Sequence, residues 1–125
     1  MPSDSESLDA VLIVEDEPLV RMEGAYSLKD AGFEVHQAAN ADEAIAVLEA
    51  HKEIRLVFTD VQMPGSMDGL KLAHYVRTRW PPIHLIVTSG QVNLAEDALP
   101  AGAVFMSKPY DHQALASKVR AMIAA

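Results

Sequence analysis

The sequence predicts an α/β fold, a (βα)5 chain folded as a doubly wound, five-stranded parallel sheet. Three observations predict it. Short apolar runs rich in β-branched residues recur along the chain, as in strands buried on both faces. Between them lie stretches with apolar residues at helical spacing, bounded by helix start and stop signals. Turn residues separate the two kinds of segment without a linker, repeat or low-complexity tract, and this alternation leads to right-handed crossovers in one parallel sheet.

Residues 1 to 9 read as a flexible polar leader, and residues 10 to 125 as one domain. Ala10-Val11-Leu12-Ile13-Val14 is the first strand, ending at Glu15-Asp16-Glu17-Pro18, where the proline suits the first turn of a helix. That helix is expected to reach about Asp30, burying Val20, Gly24, Leu28 and Ala31, with Gly32 ending it. Phe33 to Ala38 alternates as a second strand, and its polar positions suit a sheet edge. Asn40 with Glu43 makes a capping box for a helix facing inward through Ala41, Ala44, Ile45 and Leu48.

The third strand is Leu56-Val57-Phe58-Thr59-Asp60, broken after Val61-Gln62-Met63 by Pro64. Asp68 caps a third helix that buries Leu72, Ala73 and Val76 and stops before Pro81-Pro82. Ile83 to Thr88 is strand four, turned by Ser89-Gly90. A weak helical stretch from Val92 to Leu99 is cut by Pro100 and is expected to be short-helical or irregular. Ala103 to Ser107 gives strand five, closed by Lys108-Pro109, and Asp111 caps a last helix with Leu115, Val119, Met122 and Ile123 inward. The strand order is the flavodoxin-like one, taken from open sheets of this kind rather than read from residues.

Composition narrows the function. Eighteen acidic against ten basic residues, a net charge of −8, argue against a nucleic-acid or anionic-membrane surface. The absence of cysteine removes disulfides, thiolate metal sites and thiol nucleophiles. The start lacks a basic region, and the apolar run after it is too short to span a bilayer, so the expected location is cytoplasmic. The five histidines stand singly in the sequence and read as surface or edge residues, and the six methionines as core filler.

In the order 2-1-3-4-5 strands 1 and 3 are neighbours, which brings Glu15 and Asp16 beside Asp60, with Thr88 and Lys108 on the next strand ends. Three crowded carboxylates repel, and a hard divalent cation relieves them; Mg²⁺ is expected because it binds through few carboxylates and keeps room for a phosphate. A carboxylate can act as nucleophile and form an aspartyl phosphate. Phosphoryl transfer needs charge relief on the equatorial oxygens, which the cation, the Thr88 hydroxyl and the Lys108 ammonium can supply. Each residue also has a plainer reading: Glu15 and Asp16 as acids favouring a helix N-terminus, Asp60 as a turn former, Thr88 as a strand threonine, Lys108 as a solvated lysine. Those readings leave unexplained why four of the five strands end in groups suited to one reaction.

Over almost its whole length the sequence resembles the receiver domains of two-component response regulators. The matching pieces are Val14-Glu15-Asp16-Glu17, Asp60-Val61-Gln62-Met63-Pro64 with Asp68-Gly69-Leu70, Thr88-Ser89-Gly90, and Gly102-Ala103 leading to Lys108-Pro109. The resemblance implies that Asp60 is the phosphoacceptor and that Glu15 and Asp16 hold Mg²⁺ with Asp60 and the Gln62 backbone carbonyl. It also implies that Thr88 and Lys108 contact the phosphoryl group, that Phe105 is the switch aromatic, and that the Lys108-Pro109 peptide is cis. The implied donor is a phosphohistidine on a histidine kinase or histidine phosphotransfer protein, and the acyl phosphate is slowly self-hydrolysed. A downstream protein would bind the face made by the fourth helix, fifth strand and fifth helix.

Two departures from the family pattern stand out. Gly65-Ser66-Met67 lengthens the loop before Asp68 by a residue, at the rim of the site, and the stretch from Gly90 to Lys108 is short and holds Pro100. The expectation is a free-standing receiver, with a receiver cut from a longer regulator or hybrid kinase as the alternative. An aspartate-nucleophile phosphatase would want a second Asp where Gln62 stands. A flavodoxin-type binding module would want a phosphate loop where Glu15-Asp16-Glu17 repels phosphate.

Overall fold

The computed structural model describes residues 8–90 and 98–125. Leader residues 1–7 and residues 91–97, most of the expected fourth helix, lie outside the described residues. In chain order the elements are β1 (Ala10–Val14), α1 (Pro18–Asp30), β2 (Glu34–Ala38), α2 (Ala41–Ala50), β3 (Ile54–Asp60), α3 (Gly69–Arg79), β4 (His84–Ser89), β5 (Val104–Ser107) and α4 (His112–Ala124). The five strands form one sheet in the order β2-β1-β3-β4-β5, every neighbouring pair parallel. This is the order expected from the sequence, and it puts β2 at an edge.

Burial explains why the strand runs are continuous rather than alternating. All five residues of β1 are buried, because the sheet is covered on both faces. Ala10, Leu12 and Val14 join Val57, Leu85, Val87, Leu72 and Val76 in the core beneath α2 and α3. Val11 and Ile13 join Leu56, Phe58, Ile86, Leu28, Leu115 and Val119 beneath α1 and α4. Only the last residue of edge strand β2 is fully buried, in keeping with its polar alternate positions.

The helix ends follow the expected side-chain chemistry. Asn40 Oδ1 accepts from the Glu43 N–H at 2.9 Å while Glu43 Oε1 accepts from the Ala39 N–H at 2.8 Å. Asp68 caps α3 through the Lys71 N–H, and Asp111 caps α4 through the Ala114 N–H. Gly32 takes φ of 103° just beyond α1, a conformation that costs a glycine little. The face of α1 is narrower than expected: Gly24, Ala25 and Leu28 are buried, whereas Val20 is exposed and Ala31 only half-buried at the C-cap. Only one narrow stripe of α1 packs on the sheet, so Leu19, Val20, Met22 and Tyr26 remain exposed. None of the described helices is long and apolar enough to cross a membrane.

One pair of histidines is not single in space. His36 on β2 and His51 at the C-cap of α2 bring their rings to 4.3 Å between centroids, although 15 positions separate them in the chain.

Because Leu12 is fully enclosed and Leu19 is 72% exposed, they form a contrast pair for the core. Leu12→Ala is expected to lower unfolding free energy by about 2–5 kcal/mol in urea denaturation, and Leu19→Ala by less than about 0.5 kcal/mol. Equal losses would mean that the α1 surface is covered in solution.

Candidate functional site

The C-terminal ends of β1, β3, β4 and β5 meet at one rim, and the register lines up what they carry. Val14 pairs with Thr59, so Glu15 and Asp16 leave β1 beside Asp60, and Asp60 pairs with Thr88. The Glu15 N–H donates to the Ala38 carbonyl at 3.0 Å, Val61 N–H to the Thr88 carbonyl at 2.9 Å, and Lys108 N–H to the Ser89 carbonyl at 2.9 Å. Backbone bonds across strand ends therefore hold the main chain at Glu15, Thr88 and Lys108 and just past Asp60. The Lys108-Pro109 peptide is cis.

Glu15, Asp60 and Thr88 are buried, and Asp16 and Lys108 half-buried. One carboxylate oxygen each from Glu15, Asp16 and Asp60 lies within 4.8 Å of the other two. Lys108 Nζ donates to Asp60 Oδ2 at 2.9 Å and stands 3.7 Å from Glu15 Oε1. Glu15 Oε2 accepts from the Glu17 N–H at 3.0 Å, and Arg21 clamps the Glu15 backbone carbonyl at 2.9 Å. Asp60 Oδ1 and Thr88 Oγ1 are buried and have no hydrogen-bond partner among the described residues. A buried polar atom left unmatched is costly, so the site is shaped to receive something that bonds to both.

Electrostatics agree with that reading. Burial pushes the Glu15 carboxyl above its usual range, and the Asp60 charge adds to the shift, against the Glu17 N–H and Lys108, which pull it down. For Lys108, burial works to lower the ammonium's pKa. The hydrogen bond to Asp60 and the charges of Asp60, Glu15 and Asp16 outweigh it and hold the group above its usual value. Burial, then the charges of Glu15, Asp60 and Glu23, raise the Tyr110 hydroxyl to about 12. The all-oxygen donor set of Glu15, Asp16 and Asp60, with an unmatched buried Asp60 oxygen, fits a hard divalent cation such as Mg²⁺.

The sequence-predicted residues Glu15, Asp16, Asp60, Thr88 and Lys108 are thus brought together. Gln62 lies on the exposed rim, where its side-chain amide donates to Ser89 Oγ at 3.0 Å and Ser89 Oγ donates back to Gln62 Oε1 at 3.2 Å. Phe105 is half-buried on β5, paired with Val87, one position before Thr88.

Two site residues were not weighed by their chemistry in the sequence. A Cβ on Gly69 would fall 1.8 Å from the Asp60 backbone oxygen, so only glycine lets α3 start this close to the Asp60 main chain. Tyr110 packs its ring edge on Phe58 at 5.4 Å and lies near enough to Glu15 and Asp60 to feel their charge. A glycine after the Asp68 cap was the available signal for the first; for Tyr110 there was none beyond its place after Lys108-Pro109.

Residues 11–120 match the family described as the response regulator receiver domain. Sensor kinase CckA of Brucella abortus (strain 2308) is 42% identical over 120 residues, which cover 90% of this chain and 12% of the kinase. The receiver domain of NtrX from Brucella abortus has a TM-score of 0.83 at 32% identity, covering 92% of this chain and 98% of that one. A CheY-like receiver domain protein from Methanospirillum hungatei JF-1 has a TM-score of 0.84 at 27% identity, covering 94% and 95%. The chain spans 12% and 23% of the lengths of the kinase and of an NtrX-like regulator of Rickettsia bellii.

Three outcomes follow from this geometry. The raised Glu15 pKa means that the folded metal-free protein holds a proton more tightly than the unfolded chain does. This group's contribution to stability therefore falls as pH rises from about 4.3, the ordinary glutamate value, through its raised folded value. Glu15→Gln should flatten that fall and raise the melting temperature of metal-free protein at neutral pH. Mg²⁺ at ten times its dissociation constant should stabilise the wild type by about 1.4 kcal/mol, a rise of about 5 °C; melting curves indifferent to Mg²⁺ would contradict the cation fit. Gly69→Ala should cost at least about 1–3 kcal/mol in urea denaturation.

Proposed function

Since the chain belongs to the response regulator receiver domain family, we propose that it accepts a phosphoryl group on Asp60 and changes its protein contacts in response. Such domains are signalling modules of two-component systems and interact with histidine kinases. The donor is a phosphohistidine, on a histidine kinase or on a histidine phosphotransfer protein. The observation that carries the reading is the state of one carboxylate: Asp60 has one oxygen on Lys108 and the other buried and unmatched among the described residues, as is the hydroxyl of its register partner Thr88.

In the transfer, an Asp60 carboxylate oxygen attacks phosphorus and forms the P–O bond of an acyl phosphate. The P–N bond breaks, and its electron pair returns to the donor imidazole. Lys108 is placed to move from the Asp60 oxygen to a phosphoryl oxygen, keeping its charge beside the developing negative charge. Thr88 Oγ1 supplies a hydrogen bond to another phosphoryl oxygen. Glu15, Asp16, Asp60 and the Gln62 backbone carbonyl would hold Mg²⁺, which when bound neutralises carboxylate and phosphoryl charge. The Gln62–Ser89 pair closes part of the rim, and slow self-hydrolysis by water entering there resets the site.

The response starts at Thr88. Drawing its hydroxyl to the phosphoryl group frees space that Phe105, one register position away on β5, can turn into. The altered face is the one built by the segment before β5, by β5 and by α4, and a downstream protein binds there. Residues 10 to 125 act as the receiver unit, alone or within a longer regulator.

Incubation with a small acyl-phosphate donor, followed by intact mass measurement, should add one phosphate in Mg²⁺ and none in chelator. Asp60→Asn should abolish the addition, and full labelling of that variant would overturn the assignment. Thr88→Ala should still be labelled while partner binding no longer rises with phosphorylation; a rise equal to wild type would remove Thr88 from the switch.

A further inference from the structure

At the other end of α2 from the carboxylate rim, a second cluster of ligand-type side chains is assembled by the fold. His36 lies on β2 opposite Leu12, so it points to the α2 side of the sheet. His51 is the C-cap of α2, and Glu53 follows in the turn into β3. One donor atom from each of the three lies within 4.8 Å of the other two. Glu53 Oε2 stands 3.9 Å from His36 Nε2 and 3.4 Å from His51 Nδ1, and Glu34 Oε2 is 2.9 Å from His36 Nε2.

We propose that His36, His51 and Glu53 form a binding site for a divalent transition-metal ion of the zinc class, with Glu34 standing against His36 at its edge. In a tetrahedral zinc site with bonds of 2.0–2.1 Å, neighbouring donor atoms are separated by roughly 3.3 Å. The Glu53 carboxylate stands 3.4 Å from His51 Nδ1 and 3.9 Å from His36 Nε2, close to that value, and all three donors lie within 4.8 Å of one another, so small side-chain rotations bring them onto one ion. Two imidazole nitrogens with a carboxylate oxygen select a borderline ion over Mg²⁺, which prefers oxygen alone. The two clusters are thereby sorted by chemistry: oxygen donors at Asp60, mixed nitrogen and oxygen donors here. Their entry differs too, since His36 is mostly covered while His51, Glu53 and Glu34 are about half exposed and can admit an ion from solvent. Bound metal would pin the edge strand β2 to the turn between α2 and β3.

The test is calorimetric titration of the whole chain with Zn²⁺, repeated with Co²⁺ as a spectroscopic probe. Asp16→Asn, which weakens the oxygen cluster, should still bind one equivalent of Zn²⁺. His51→Ala and Glu53→Gln should each weaken that binding by at least about tenfold and lose the visible absorption of tetrahedral Co²⁺. Both replaced side chains are substantially exposed, so melting curves without metal should match wild type, and Asp60 should still accept phosphate. Zn²⁺ affinity unchanged in both variants, or no stoichiometric Zn²⁺ binding in Asp16→Asn, would overturn the proposal and leave a plain histidine–carboxylate ion pair.

Discussion

Glu15, Asp16 and Asp60 face one ammonium, that of Lys108, at the rim where four parallel strands end. The arrangement is unbalanced: two of the carboxylates are buried, their charges repel, and one lysine reaches only one oxygen of Asp60 and stands off Glu15. A chain that folds this way keeps a site in want of positive charge. What holds it in place is the apolar core of the sheet beneath, where β1 is buried throughout and β3 at every position but Arg55, leaving the strand ends little room to splay.

That imbalance connects structure to activity. A cation and a phosphoryl group bring opposite charges into the same space, so each makes the other easier to accommodate. Lys108 is tied to Asp60 across 48 positions of sequence, which makes the end of β5 sensitive to what happens at the end of β3. Thr88 lies between them on β4. On the proposed reading, a covalent change at Asp60 would alter the hydrogen bonding of Thr88 on β4 and of Lys108 just past β5, and β4 and β5 are neighbours at one side of the sheet.

Much of this was legible in the sequence because it is local. Capping by Asn40, Asp68 and Asp111 depends on neighbours three residues away, and each was realised. Acids and bases at strand ends were legible because a polar group closing an apolar run is visible in one dimension. What was not legible depends on distant contact. Sheet order had to be borrowed, since nothing in β1 alone says that β3 lies beside it. Gly69 simply follows the Asp68 cap in sequence, and nothing local says that the Asp60 carbonyl lies where its Cβ would be. His36 and His51 read as isolated because their meeting is made by α2 turning back along the sheet. The exposure of Val20 had the same origin: helical spacing marks a stripe, but packing decides how wide a stripe is covered.

The central claim is that, of three neighbouring carboxylates, Asp60 alone is the acceptor. After transfer from a phosphohistidine donor, borohydride reduction of the acyl phosphate followed by peptide mass spectrometry reads which side chain was modified. The account predicts reduction at Asp60 with Glu15 and Asp16 intact; modification of either of those two instead would contradict it.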